Sequence, residues 1–247
     1  MAKLPLPFSN QSVSEWTVQL QQSPAAEDRL RALQAISLLA QTDETNRIAH
    51  NALDDADSMV RAMAARLLGR EGIETSNETQ AKLVNLLGDD DPDVQFESAR
   101  TLIRKKSSRA ELAFPSLFAR LDEAETPALM LAAVISTLTE ADLDQQTIER
   151  EFRPRVTAWL EHDRGEVREA VASAFAKWPA MSVQCVDRLI PLLEDSEPVV
   201  REKIAIALGQ SGIKSDLILA GLETARMDED SEVARVASEA LAKLKSE

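Results

Sequence analysis

Apolar and polar residues recur along this chain with the spacing of paired α-helices. Two segments show the pattern plainly. Each opens with an acidic residue, a Val and an Arg, and each ends in Leu-Gly, at Leu68 and Gly69 in one and at Leu208 and Gly209 in the other. Small or apolar residues follow the Val at four, five and eight positions, which is one stripe of an α-helix. No stretch alternates with the period of two that marks a strand, so the pattern predicts helices alone.

The stripe can be followed through the whole chain as seven copies. The position of the Val, which we call the Val column, is aliphatic in every copy: Leu30, Val60, Val94, Leu129, Val167, Val200 and Val233. The first and last members are 233 − 30 = 203 positions apart over six steps, so the repeat is about 34 residues long, as in arrays of helical hairpins. A shorter periodic segment precedes each copy and predicts the first helix of a hairpin. Pro115, Pro154 and Pro191 lie in or near these first helices, where a proline inside the helix would bend its axis.

These columns resemble HEAT repeats of the bacterial phycobilisome-lyase-like subclass. The second helix of that family typically runs Asp-Pro-x-Val-Arg-x-x-Ala-Ala-x-x-Leu-Gly. The best matches are residues 57–69 and 197–209, whereas the copy starting at Thr126 has Met130 at the Arg position and Thr137 at the Leu position. The resemblance implies an all-α fold, a right-handed α-α superhelix (solenoid) of about seven HEAT-like hairpins.

The ends of this array can also be predicted from the sequence. We expect a short N-terminal tail over residues 1–11 and a single repeat domain over residues 12–247. Ser12 and Glu15 have the spacing of a capping box at the first helix. The proline-broken segment after Lys3 is too short for a signal peptide, and no stretch has the apolar length needed to cross a bilayer.

Clusters of acidic residues precede most of the predicted second helices. A carboxylate there accepts backbone N–H groups and complements the helix dipole, and stacked turns could instead form an acidic ridge that attracts a basic partner. The resemblance implies that the Asp and Arg columns pair between adjacent repeats as a ladder. The predicted ladder members are Arg31, Arg61, Arg168, Arg201, Asp57, Asp91 and Glu197.

Two acidic turns also alternate carboxylates in the manner of a calcium-binding loop. They contain Asp89, Asp91 and Asp93 in one copy and Asp228, Asp230 and Glu232 in another. The sixth position, where an EF-hand requires Gly, holds Val in both turns. The sequence therefore predicts no metal site.

A set of apolar residues in the third and fourth copies is the predicted partner-binding surface. Positions just after the Arg column should point away from the core, onto the concave face of the array. The set comprises Phe96, Met130, Leu131 and Ile135, flanked by Arg66 and Arg100. Such a patch could anchor a helix or peptide. The alternative is that the divergent fourth copy is twisted, so that these side chains pack internally.

Composition narrows the chemistry. The chain has 28 basic and 42 acidic residues, a net charge of −14, which argues against nucleic-acid and anionic-membrane binding, and against the DNA glycosylases built from similar repeats. One Cys excludes a disulfide framework. Cys185, His50 and His162 belong to different copies, so no nucleophile–base pair is expected.

These observations predict a function without catalytic residues or a cofactor. We expect a scaffold or adaptor that binds another protein or peptide through the concave surface of the solenoid. It should be a cytoplasmic monomer that binds neither nucleic acid nor membrane. The alternative, implied by the resemblance, is an accessory subunit like those of phycobilin lyases, acting on a protein-bound tetrapyrrole.

Overall fold

The computed structural model describes residue 8 and residues 11–246. Within that part of the chain every helical or extended element is a helix, so the predicted all-α class is confirmed. The residues form two compact units, with the division between Leu117 and Phe118. The single domain over residues 12–247 stays a prediction, and most of the predicted tail lies outside the described residues.

The first unit is built from three helical hairpins. Its long helices α2, α4 and α6 pack one against the next, and α1, α3 and α5 each pack on the helix that follows them. The bounds are α1 (Val13–Gln22), α2 (Ala26–Leu39), α3 (Thr42–Ala52), α4 (Ser58–Leu68), α5 (Asn77–Asn85) and α6 (Pro92–Arg104), and α7 (Phe114–Asp122) contains the division between the units.

The second unit repeats the scheme. Here α8, α11, α13 and α15 pack in order, and α14 packs on α15. The bounds are α8 (Ala128–Glu140), α9 (Gln145–Thr147), α10 (Arg153–Thr157), α11 (Gly165–Lys177), α12 (Val186–Leu189), α13 (Pro198–Gln210), α14 (Asp216–Ala225) and α15 (Ser231–Ser246). None of the helices in the described residues is both long and apolar enough to cross a membrane.

The fifth first helix is broken where proline predicted a bend. Residues Ile148–Phe152 form a π-helical turn between α9 and α10. Pro154 has no N–H to continue the helical ladder, and its ring crowds the carbonyl of Arg150 four residues earlier. A π-helical turn is one way to accommodate that crowding.

The predicted stripes form the interior of the hairpins. In α4 the side chains of Val60, Ala64, Ala65 and Leu68 are fully buried. The predicted capping box is present at the start of α1, where the Ser12 side chain accepts the N–H of Glu15. Helical periodicity therefore predicts the buried stripe of α4 correctly, and the capping box predicts the start of α1.

Two glycines at helix ends permit neighbouring helices to approach closely. A Cβ on Gly69 would lie 2.6 Å from Oγ1 of Thr101, and a Cβ on Gly209 would overlap the Cβ of Ala240. The Leu-Gly pairs that revealed the repeat thus mark contacts between successive long helices, α4 with α6 and α13 with α15.

The register of two long helices differs from the predicted columns. In α4, α6, α11 and α13 the Val column is the third helical residue. In α8 the N-cap is Pro127, so Met130 is third and Leu131 is fourth, while Leu129 is 67% exposed. In α2 the N-cap is Ala25, which makes Arg29 fourth. The predicted columns are wrong by one residue in α8 and by two in α2, because the stripe that is buried in each helix runs through other residues than the predicted one.

Candidate functional site

An arginine–aspartate ladder links successive hairpins within each unit. Arg61, the fourth residue of α4, donates from Nε and Nη2 to the two carboxylate oxygens of Asp89 at 2.9 and 2.8 Å. Its Nη1 donates to the carbonyl oxygen of Asp55 in the turn before its own helix, at 2.9 Å. The same bidentate arrangement joins Arg29 to Asp55, Arg168 to Asp195 and Arg201 to Asp228.

Each ladder carboxylate also holds its own turn. Oδ1 of Asp89 accepts the N–H of Asp91 at 3.0 Å, and Oδ1 of Asp228 accepts the N–H of Asp230 at 2.8 Å. The paired guanidinium lowers the pKa of Asp89 and Asp228 below the usual range, against the opposing effect of burial. These side chains are 8 and 9% exposed, so the paired carboxylates hold adjacent repeats together and face little solvent.

Four predicted ladder members have other roles. Arg31 is replaced by Arg29, because the phase of α2 places Arg29 at the fourth position. Asp57 and Asp91 are the N-caps of α4 and α6 and accept the N–H groups of the second helical residues. Glu197 is the N-cap of α13 and makes no capping bond through its side chain. The carboxylates that pair with arginine lie two residues before these caps.

The ladder is modified at two helices. The ladder arginine is the fourth residue of its helix, and we call this position the arginine slot. In α6 the slot holds Gln95, which keeps only the bond to its own turn, from Nε2 to the carbonyl oxygen of Asp89 at 2.6 Å. In α8 the slot holds the apolar Leu131. The corresponding carboxylate position before α11 holds His162, whose Nδ1 accepts the N–H of Arg164 at 3.0 Å. An imidazole thus takes over the turn-holding role where the arginine is missing.

The predicted apolar patch is not on the surface. Phe96, Leu131 and Ile135 are 6, 2 and 0% exposed, and Met130 is partly buried. The expectation that they point away from the core is wrong. The helical phase of α8 places Leu131 and Ile135 on the face that packs against neighbouring helices. The residue of α4 equivalent to Phe96 is Ala62, and it is also partly buried.

The groups that could have formed a reactive centre have separate structural partners. His50 Nδ1 lies 2.8 Å from Oγ1 of Thr79. The buried Cys185 has Oγ1 of Thr157 at 3.8 Å from its Sγ. Within the described residues, no three His, Cys, Asp or Glu side chains converge as a metal site, and the two turns with alternating carboxylates are used by the ladder and the caps.

The two flanking arginines of the predicted patch do come together, in a groove of the first unit. Arg66 Nε and Arg100 Nη1 lie 3.2 and 3.5 Å from the two oxygens of Glu97. The Glu97 side chain is 11% exposed, whereas that of Arg66 is 62% exposed. The groove has a volume of about 360 Å³, and its lining includes Ser37, Met63, Arg66, Leu67, Gly69, Arg70, Glu97, Arg100, Thr101 and Arg104. We call it the arginine groove.

A second set of cationic contacts lies at the C-terminal ends of the long helices. Arg70 Nη1 donates to the carbonyl oxygen of Ser37 at 3.1 Å, and Lys105 Nζ donates to that of Arg70. In the second unit Lys177 Nζ donates to the carbonyl oxygens of Thr139 and Ala141. Burial lowers the pKa of both lysines. These contacts supply hydrogen-bond donors to carbonyl oxygens that have no partner within their own helix. The only feature of the sequence that indicated them was a basic residue near the end of the helix.

Another cavity of the first unit lies between α1 and α3 and has a volume of about 390 Å³. Its lining includes Arg29 and Asp55, which are paired in the ladder, and the exposed Arg47. Because Arg29 and Asp55 belong to the ladder, whereas the arginines that line the arginine groove do not, the arginine groove is the better candidate for a binding site.

Comparison with solved structures places the fold among helical-repeat proteins. The chain is similar to a chain of the CpcE–CpcF complex of phycocyanin lyase from Nostoc sp. PCC7120, with 21% identity, 99% of both chains covered and a TM-score of 0.53. It is also similar to YibA of E. coli, with 17% identity, 95% of this chain and 92% of that chain covered, and a TM-score of 0.54. A Kap121p variant matches at 11% identity and a TM-score of 0.66, over 95% of this chain and 29% of that one.

At these identities the structural matches show the fold alone. No curated protein matches the sequence. The family model described as HEAT repeats, however, matches residues 50–139 and 153–242, which together make up more than half of the chain. The chain belongs to the HEAT-repeat family.

Proposed function

We propose that this protein is a non-catalytic adaptor or scaffold that binds another protein through its first unit. The observation that supports the proposal is the arginine groove. Arg66 of its lining is 62% exposed and lies outside the ladder that holds the hairpins together. Surfaces that combine arginines with apolar side chains are typical of protein interfaces.

The cytoplasm and a monomeric state, both predicted from the sequence, are part of this proposal. An adaptor of this kind needs no cofactor, and its partner is a folded protein or a peptide. Light scattering during size-exclusion chromatography would measure the oligomeric state, and fractionation of the native cell would measure the location.

Site-specific photo-crosslinking in the native cell tests the proposal. A benzophenone amino acid replaces Met63 in the groove, and a control chain carries it at Val183, which is 57% exposed in the second unit. We expect one protein to crosslink to position 63 and not to position 183. Equal crosslinking at both positions, or none at position 63, would contradict a groove-mediated adaptor.

A second candidate is an accessory subunit resembling those of phycobilin lyases. The observation that favours it is the match in fold to a CpcE–CpcF chain over 99% of both chains. The purified chain would then change the absorbance spectrum of an added bilin, and the protein crosslinked at position 63 would be a phycobiliprotein. An unchanged spectrum and a partner of another class would favour the adaptor.

A further inference from the structure

We propose that the arginine groove binds an acidic segment of a partner protein, one that alternates carboxylate and apolar side chains. This inference rests on the proposed adaptor function and adds the chemistry of the partner. The lining contains four arginines and one glutamate, Glu97. The lining therefore holds three more basic than acidic side chains, on a chain whose net charge is −14.

The groove already shows how it can hold a carboxylate. The two oxygens of Glu97 are shared between the guanidinium groups of Arg66 and Arg100. Each guanidinium carries five N–H donors in a planar fork that suits carboxylates, and the contacts with Glu97 use one nitrogen of each. A partner carboxylate can share these arginines with Glu97, and in that arrangement the largely buried Glu97 keeps its ion pairs.

The rest of the lining favours a peptide over other anions. The partly buried Met63 adds apolar surface between the charged groups, which suits a segment that alternates charged and apolar side chains. The central carboxylate of Glu97 repels a doubly charged phosphate more strongly than a single carboxylate. Outside the groove, the acidic chain repels an extended polyanion such as nucleic acid.

The cations also have a structural explanation that the experiment must separate from binding. Arg66, Arg100 and Arg104 lie in the last two turns of α4 and α6, where positive charge complements the helix dipole. That role would make them matter for stability alone. The decisive residue is therefore Glu97, because its removal should strengthen anion binding, whereas a purely dipolar role of the arginines predicts no change in binding.

The experiment measures fluorescence anisotropy of a labelled peptide that alternates Glu and Leu, added to the full chain. A peptide with Gln in place of Glu and a single-stranded oligothymidylate serve as competitors. We expect saturable binding of the labelled peptide. The Gln peptide and the oligothymidylate should each displace it at least about tenfold less well than the unlabelled Glu peptide does. Equal competition by oligothymidylate would assign the groove to phosphate polyanions and overturn the proposal, as would equal competition by the Gln peptide.

Three variants locate the binding. Arg66→Glu should weaken binding by at least about tenfold, and the charge-matched control Arg188→Glu, at an exposed arginine of the second unit, should change it less than about twofold. Glu97→Gln should tighten binding by about threefold. Circular dichroism verifies that each variant is folded. Unchanged binding by Arg66→Glu or by Glu97→Gln would overturn the proposal.

The two proposals can fail separately. If crosslinking at position 63 captures a partner whose binding is unaffected by Arg66→Glu, the adaptor function stands and the acidic-segment inference is wrong. If the Glu–Leu peptide binds as expected but no protein crosslinks in the cell, the groove chemistry is correct and the adaptor function is wrong.

Discussion

The two units share a ladder but differ on the face beside it. Five and nine residues after the ladder slot, the first unit has arginine in both α4 and α6. The corresponding side chains of the second unit are mixed in character. The first-unit residues are Arg66, Arg70, Arg100 and Arg104, and those of α11, α13 and α15 are Ser173, Lys177, Ile206, Gln210, Glu239 and Lys243.

This difference separates what the fold requires from what it leaves open. A bidentate pair and a turn-holding carboxylate occur in both units, so they belong to the construction of the hairpin. The arginines of the groove occur in one unit only. The second unit forms the same packing of long helices without counterparts of Arg66 and Arg100, and these two are the arginines on which the proposed binding rests.

The largest expected effect comes from breaking the ladder, which should be equally costly in both units. Arg61→Ala and Arg201→Ala each leave a carboxylate at most about one-tenth exposed without its partner. We expect each to lower the free energy of unfolding by about 3 kcal/mol, measured by urea denaturation.

The control is Arg164→Ala, which removes an exposed pair with Glu166 and should cost less than about 1 kcal/mol. A cost of the same size for Arg164→Ala and Arg201→Ala would contradict a structural role specific to the ladder.

The next effect tests whether close helix contacts are shared as well. Gly209→Ala and Gly69→Ala each insert a methyl group against the next long helix, and we expect each to destabilise the protein by about 2 kcal/mol through overpacking. Thermal unfolding would measure the loss. Gly88→Ala is the matched control, because a Cβ there meets no atom within 4 Å. Similar melting temperatures for all three variants would show that the helices can move apart.

A graded loss of stability is expected in acid. The lowered pKa values of Asp89 and Asp228 mean that these carboxylates add stability above the unfolded-state pKa of about 4. That contribution is lost as the pH falls through the lower pKa of the folded state. The urea midpoint of the native chain should therefore fall below about pH 4, and Asp228→Asn should show a shallower dependence. Identical pH profiles would contradict this role of Asp228.

The smallest effect concerns the face that differs between the units. Exchanging Arg66 for its second-unit counterpart, as Arg66→Ser, should weaken binding of the Glu–Leu peptide about fivefold, or roughly 1 kcal/mol. The reverse change, Ser173→Arg, should leave binding within about twofold. If Ser173→Arg strengthened binding as much as Arg66→Ser weakened it, net charge and not the groove would govern the interaction.

Helical periodicity was sufficient to predict the fold class and most of the interior. It failed in phase at α2 and α8, where apolar residues are dense enough to fit more than one stripe. Ala25 and Pro127 make no side-chain capping bond, so the sequence gives only a weak signal for where either helix begins. This is why Leu129 was expected inside and Leu131 outside, the opposite of what is observed.

Part of the candidate site could be predicted from the sequence. Arg66 and Arg100 were predicted because their column lies beside the core stripe. Glu97 was missed, since a buried carboxylate between two arginines depends on contacts between α4 and α6 that no local pattern encodes. The lysine contacts at the helix ends were missed for the same reason, because each spans about one repeat.

The burial of the ladder ion pairs has a practical consequence for work with this protein. Added salt shortens the range of electrostatic interactions in water to a few ångströms but acts much less on pairs that are shielded from solvent. The largely buried Arg201–Asp228 pair should persist in concentrated salt, while ligands held by exposed Arg66 are released. Ionic strength can therefore be used to elute a partner from the immobilised protein without unfolding it.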